Sequence, residues 1–164
     1  MLESHPVAFA EARTVAPAQV SSLAAVANSR LLRVGTETLL TEVAALLSAS
    51  QISLLVVCDA AGSVAGVITE TMLIQQLGIG RADVFTTHAG AVMNRDYNTC
   101  APADSLQDVL SRMHQHGQIH VLIVEVDNKP LGVLNAHDGL RALLATGNHD
   151  EELLRNYVMG IGYQ

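Results

Sequence analysis

The amino-acid sequence predicts an α+β protein made of two pseudo-symmetric βαββα copies, and three observations lead there. The chain repeats its own order of residue classes at a shift of 66 residues, Ala25 falling on Ala91. Within each copy a helical apolar pattern is followed by two strand-sized aliphatic runs divided by turn residues. The composition is 49% hydrophobic yet 3% aromatic, with no Trp, so the core must be Leu, Val, Ile and Ala. Such a chain is far too apolar to be disordered.

Self-similarity at a fixed period marks one folding unit used more than once. Ala25-Val26-x-Asn28 aligns with Ala91-Val92-x-Asn94, Leu40 with Leu106, Val43 with Val109, Leu47 with Met113 and Leu77 with Leu143. Gly66-Val67-Ile68 aligns with Gly132-Val133-Leu134. Between Gln51 and Ala65 the residue classes match best one position further on, with Ile52 on Ile119, Leu55 on Leu122 and Val57 on Val124. A hairpin loop tolerates a slip of that size.

Each copy opens with a short extended piece, Leu31 to Val34 and Tyr97 to Cys100. A helix follows, over 39–49 and 105–116, the second with Ser105 and Asp108 in capping-box positions. Two strands come next, Ser53 to Cys58 and Val64 to Thr69, split by Asp59-Ala60-Ala61-Gly62. Their counterparts are Ile119 to Val126 and Pro130 to Asn135, split by Asp127-Asn128-Lys129. Asp, Asn and Gly between apolar runs make hairpin turns. A last helix covers Glu70 to Leu77 and Ala136 to Leu144. From Leu39 to Leu47 only Thr41 and Glu42 are polar. That helix should therefore be covered on more than one side, by its own sheet and by the second repeat or a second subunit. The organisation expected is an N-terminal tail over 1–18, repeats over 19–80 and 81–146, and a C-terminal helix and tail over 147–164.

The charge excludes several partners. Nine basic against 16 acidic side chains give a formal net charge of −7, and Lys129 is the sole lysine. Nucleic-acid backbones and anionic membranes reward basic patches instead. The N-terminus lacks a secretory pattern, and runs such as Leu54 to Cys58 are too short to span a membrane; a cytoplasmic protein is expected. Cys58 and Cys100 lack metal-ligand spacing and read as buried thiols. His114, His116 and His120 are close in sequence, but helix residues two apart face different ways, and Gly117 ends the helix first. No metal motif, nucleophile elbow or phosphate-cradling glycine loop is present, Gly78-Ile79-Gly80 being a helix stop. No enzymatic activity is expected.

The second copy contains, in order, Ala91-Val92-Met93, Thr99-Cys100-x-Pro102, Ser105-Leu106, the run Ile119 to Val124, and Gly132-Val133-Leu134-Asn135-x-x-Asp138. The first copy is looser, with Val34-Gly35, Leu54-Leu55-Val56-Val57-x-Asp59 and Gly66-Val67-Ile68-Thr69-x-x-Met72. This ordered set, occurring twice between about Val20 and Leu144, resembles the cystathionine-β-synthase-type (CBS) domain and its tandem pairs, the Bateman modules. The resemblance implies two repeats packed sheet to sheet with helices outside, two clefts between them, and a homodimer. It also implies a small adenosyl ligand such as AMP, ADP, ATP or S-adenosylmethionine, and a separate regulated protein, the flanks being too short for an effector domain.

In the resembled family a Thr near the phosphate is followed three residues on by an Asp that takes both ribose hydroxyls. A carboxylate can accept from two adjacent hydroxyls, each charge-assisted bond contributing about 1.5–3 kcal/mol. The resemblance thus implies a main cleft lined by Asp138, Asn135, Leu134, His120 and Val121, completed by Arg33, Thr38, Ile52 and Ser53 of the first copy. It implies a second, weaker cleft with Thr69, Ile68, Thr99, Ile119 and again His120, where Met72 replaces the carboxylate; a thioether is a poor acceptor. Asn135 departs from the usual Thr or Ser, and by themselves Asn135 and Asp138 also suit the cap and third residue of a helix. Arg33 and His120 are the only evident cationic partners for phosphate, which favours AMP or S-adenosylmethionine over ATP. The expected function is a stand-alone regulatory module, needing no cofactor, that binds an AMP-like or S-adenosylmethionine-like ligand and signals to a partner protein. The alternative is a structural or interaction module with degenerate clefts, favoured by Met72 and Asn135.

Overall fold

The structure, a computed structural model, describes residues 18–145 apart from 51, 53, 81 and 82. The tail before Ala18 and the helix expected after Asn148 lie outside the described residues. A 3-10 turn (Val20–Leu23) and helix α1 (Ala24–Ser29) lead into β1 (Arg33–Gly35), α2 (Leu40–Ser50), β2 (Leu54–Cys58), β3 (Val64–Thr69) and α3 (Glu70–Gly78). The second copy runs α4 (Ala89–Val92), β4 (Thr99–Cys100), α5 (Leu106–Gln115), β5 (His120–Val124), β6 (Pro130–Asn135) and α6 (Ala136–Ala145). The α+β class and both βαββα units are present. The leading helices α1 and α4, of six and four residues, are additions; neither is long enough to show a helical apolar period.

Each copy forms one three-stranded sheet, ordered β1-β2-β3 and β4-β5-β6. The first two strands are parallel and the last two antiparallel. Leu54 pairs with Thr69 and His120 with Asn135, while Arg33 pairs with Val56 and Thr99 with Leu122. Each pair in one sheet lies 66 residues from its twin, and so do the irregularities at Val57/Cys58 and Ile123/Val124. The one-residue slip suggested by residue classes is therefore corrected: Leu55 corresponds to Val121 and Val57 to Ile123. Class matching went astray because Leu, Val and Ile fill either face of these strands. The turns confirm the unbroken register, since Gly62 (φ 86°) and Asn128 (φ 64°) take the left-handed conformation at equivalent positions. Gly, and next Asn, accept that conformation most readily.

Strand alternation divides the aliphatic side chains between three cores. Leu55, Val57 and Ile68 pack with Leu40, Val43, Leu47 and Leu73 of α2 and α3. Val121, Ile123 and Leu134 pack with Leu106, Val109, Leu110 and Met113 of α5. The opposite faces meet each other, Val56 and Val67 against Leu122 and Val133. The two sheets thus pack face to face with helices outside. Burying each of these side chains contributes about 1.5–3 kcal/mol. The leading segment of the second repeat covers part of α2, as Val84 and Ala89 join the core of Leu40, Val43 and Leu47, while Leu46 remains 38% exposed.

The leading segments cross over between copies. Helix α1 lies on β6, where a Cβ on Gly132 would come 2.6 Å from the Ala27 carbonyl carbon. The residues after α4 lie on β3, where a Cβ on Gly66 would meet Met93 at 2.8 Å. Asn94 and Val67 exchange backbone hydrogen bonds there, at 2.8 and 3.0 Å. These glycines are required by close approach rather than by a turn. Gly132→Ala is accordingly expected to destabilise the fold by about 1–3 kcal/mol through overpacking against backbone. Gly78→Ala, with open space around its Cβ, should be neutral or up to about 1 kcal/mol stabilising at the helix end. Chemical denaturation of the two variants measures the contrast.

Candidate functional site

The sheet ends that project beyond the inter-sheet core carry the polar residues. In the second copy the cross-strand pair there is His120 and Asn135; in the first it is Leu54 and Thr69. Both strands run directly into helices, so Thr69 and Asn135 act as caps. Thr69 Oγ1 accepts from the Met72 N–H at 3.1 Å. Asn135 Oδ1 accepts from the N–H groups of His137 (2.8 Å) and Asp138 (3.4 Å), satisfying two of the free donors at a helix start. Asn135 Nδ2 stands 3.1 Å from His120 Nε2.

Asp138 is 6% exposed and fully engaged. Arg30 Nε donates to Oδ2 at 2.5 Å and Arg30 Nη2 to Oδ1 at 3.1 Å, a two-pronged ion pair. Arg141, exposed on the same helix, approaches to 3.9 Å. The hydrogen bonds to Asp138 raise the Arg30 pKa above its ordinary value. A ribose diol could reach this carboxylate only by displacing the guanidinium.

The open cleft lies beside Thr69, with a volume of about 620 Å³. From the first copy it is walled by Leu54, Thr69, Glu70, Thr71 and Ile74, and from the second by Gly117, Gln118, Ile119 and His120. Ile119, a large apolar side chain, is 50% exposed and lines this cleft. Gln118 also borders a smaller cavity of about 90 Å³, shared with Asn98, Thr99, Arg112 and His116. Burial, then the nearby Arg30 and His137, hold the His120 imidazole below its usual pKa, against the opposing pull of Asp138.

The residues nominated from sequence are thus distributed as follows. Thr69, Ile119 and His120 share the open cleft, and Thr99 borders the smaller cavity. Leu134 and Val121 are buried in the core under α5, and Ile68 in the core under α2, so all three face away from the cleft. Arg33 is exposed on β1, and Ile52 is half-buried before β2. Thr38 Oγ1 accepts from the Gly35 N–H at 3.2 Å. Ser53 is outside the described residues. Sequence reasoning missed Arg30 and Glu70. Arg30 closes the stretch holding the matched Ala25-Val26-x-Asn28; its pairing is non-local, across 108 residues, and no sequence pattern announces it. Glu70 opens a helix, where an acidic residue is unremarkable.

The two thiols offer no chemistry, burial pushing Cys100 up to about 12 and Cys58 upward as well. Among the described residues no three His, Cys, Asp or Glu side chains gather as a metal site, and no helix is long and apolar enough to cross a membrane.

The CBS domain profile matches twice, over residues 21–78 and 89–145. The chain belongs to the CBS-domain family. It is a tandem CBS pair, and such pairs are regulatory modules. Among solved structures, an uncharacterised conserved protein from Pyrococcus horikoshii is 26% identical, with a TM-score of 0.62 over 73% of this chain and 89% of that one. The CBS domain pair of the protein MJ0100, solved with 5′-methylthioadenosine and S-adenosylmethionine, is 18% identical, with a TM-score of 0.66 over 81% of this chain and 99% of its own. The protein CBSX2, solved with AMP, is 19% identical, with a TM-score of 0.66 over 79% and 98%. No curated protein matches the chain.

Two outcomes test the electrostatics of this CBS pair. Arg30→Met leaves the Asp138 carboxylate buried without its main partner and is expected to cost about 1–3 kcal/mol, discounted because Arg30 is 37% exposed. Adding Asp138→Asn should restore most of that loss in a double-mutant denaturation cycle. A depressed imidazole binds fewer protons folded than unfolded, so stability rises with pH where His120 titrates. Its contribution is intact above the ordinary value of 6.5 and is lost as pH falls below it. Denaturation midpoints should fall across that window, and less steeply in His120→Gln.

Proposed function

We propose that this CBS pair binds an adenosyl ligand, AMP-like or S-adenosylmethionine-like, in the Thr69 cleft and signals its presence to a partner protein. The supporting observation is the cleft itself, about 620 Å³ and walled by the sheet end and helix start of the first copy and by the turn into β5 of the second. That volume suits a compact organic ligand. Ile119, Ile74 and Leu54 offer apolar surface for a purine, and Glu70 and His120 offer hydrogen-bonding groups at its rim. Adenosyl ligands in two other CBS pairs, of MJ0100 and CBSX2, support the ligand class. The exposed Leu46 of α2, with Ile74 and Leu77 of α3, supports a homodimer built on that helical side. A formal charge of −7 suits a module without nucleic acid or membrane partners, in the cytoplasm.

A ligand touching both copies would hold them at one relative angle, and a partner would read that angle through its different affinity for the two arrangements. The second interpretation, a scaffold with degenerate clefts, is favoured by Met72 and by the Arg30 closure of Asp138. Thermal denaturation against AMP, S-adenosylmethionine and 5′-methylthioadenosine decides between them. A ligand at about 100 times its dissociation constant adds about 2.7 kcal/mol of stability. Absence of any shift at millimolar concentrations favours the scaffold.

A further inference from the structure

We propose that the Thr69 cleft selects an adenosyl ligand without phosphate, neutral or positively charged, because Asn135 fixes His120 as a neutral donor and Glu70 is, among the described residues, the one charged side chain in the wall. This rests on the ligand-binding function proposed above and narrows its ligand class.

The orientation of Asn135 is decided by the helix it caps. Its Oδ1 accepts from the backbone N–H groups of His137 and Asp138, and these can only donate. Its other terminal atom is therefore the amide nitrogen, which also only donates. That nitrogen lies 3.1 Å from His120 Nε2. Nε2 must accept, so it carries no proton, and the neutral ring carries its proton on Nδ1. Among the described residues no protein group bonds Nδ1, and no buried side-chain nitrogen or oxygen lacks a partner. Nδ1 is therefore open to solvent, and the cleft is the open space that His120 lines.

A second proton would have to sit on Nε2, pointing at the Asn135 donor. Burial opposes it, as do Arg30 and His137, and together they outweigh the pull of the Asp138 charge, which Arg30 shares. His120 thus enters the cleft as a hydrogen-bond donor and not as a cation. Among the described residues no Lys or Arg contributes to the wall. Arg112 lines the separate smaller cavity and lies 3.9 Å from Asp104, and Arg30 is engaged by Asp138. A phosphate would meet Glu70 without compensation, whereas a sulfonium or ammonium group would be attracted by it.

Two measurements on the full chain test this. Calorimetry with 5′-methylthioadenosine, S-adenosylmethionine, AMP and ATP is expected to give affinities for the first two at least about tenfold tighter than for AMP, with ATP weakest. AMP or ATP binding as tightly as 5′-methylthioadenosine overturns the selectivity. Long-range proton–nitrogen correlation spectra of the ligand-free chain at neutral pH should show His120 Nε2 unprotonated; an Nε2–H ring overturns the role of Asn135. Asn135→Asp keeps a good helix cap but faces Nε2 with an acceptor, so the ring should protonate and the preference over AMP should narrow several-fold. An unchanged preference with a protonated ring overturns the link between the two. Failure of all four compounds to bind, with the spectra as expected, refutes the ligand-binding function itself and leaves the histidine assignment standing.

Discussion

A three-stranded sheet that is aliphatic on both faces has to be covered twice, and the architecture of this chain follows from that requirement. Helices cover one face of each sheet, and the only aliphatic surface left for the other face is its twin. Val56, Val67, Leu122 and Val133 make a small contact between sheets, so the strand ends extend past it. A hollow at those ends is the geometric consequence of two short sheets sharing a small central core. The crossing of α1 onto β6, and of the α4 segment onto β3, then fastens the copies by backbone approach at Gly132 and Gly66.

Within that symmetric frame the copies differ at the sheet ends and the residues around them. Sixty-six residues apart stand Asp138 and Met72, Arg30 and Asp96, Asn135 and Thr69, His120 and Leu54. Replacing one member of an ion pair alone would leave a buried charge, which is far more costly than replacing both. Arg30 of the first copy and Asp138 of the second form this pair across the copies and close that carboxylate; the equivalent Asp96 and Met72 cannot form one, and that side of the interface remains open. The asymmetry is thus one of paired positions rather than of scattered substitutions.

The fold was legible in the sequence because repetition doubles every weak local signal. Strands Val64 to Thr69 and Pro130 to Asn135 match the structure residue for residue, since turn chemistry bounds them on one side and a helix cap on the other. The register of β2 against β5 was not legible, because Leu, Val and Ile satisfy either face; the left-handed Gly62 and Asn128 hold that information. Of the site, Thr69, Ile119 and His120 could be named through the family resemblance, which singles out strand ends at the cleft. The closure of Asp138 could not, because a pairing across 108 residues depends on where the crossing α1 deposits Arg30. Leu134, Val121 and Ile68 belong to the helix-facing half of their strands, and only the strand register reveals which half that is.

The polar contacts at the end of the second copy form one connected series. His120 bonds Asn135, Asn135 caps α6, the same cap receives the Asp138 N–H, and Asp138 grips Arg30 at the end of α1. The series therefore starts at the wall of the open cleft and finishes on the segment that ties one copy to the other. Partly buried polar networks of this kind hold one arrangement firmly because each bond fixes the geometry of the next. Aliphatic contacts between the sheets lack that directionality and tolerate small rotations. Directional contacts that resist rotation of one copy against the other lie in the Arg30–Asp138 pair, in the crossing segments and between the two hairpin turns, where Asn128 bonds Val64 through both backbone and side chain, and the cleft abuts the first link of the Asp138 series.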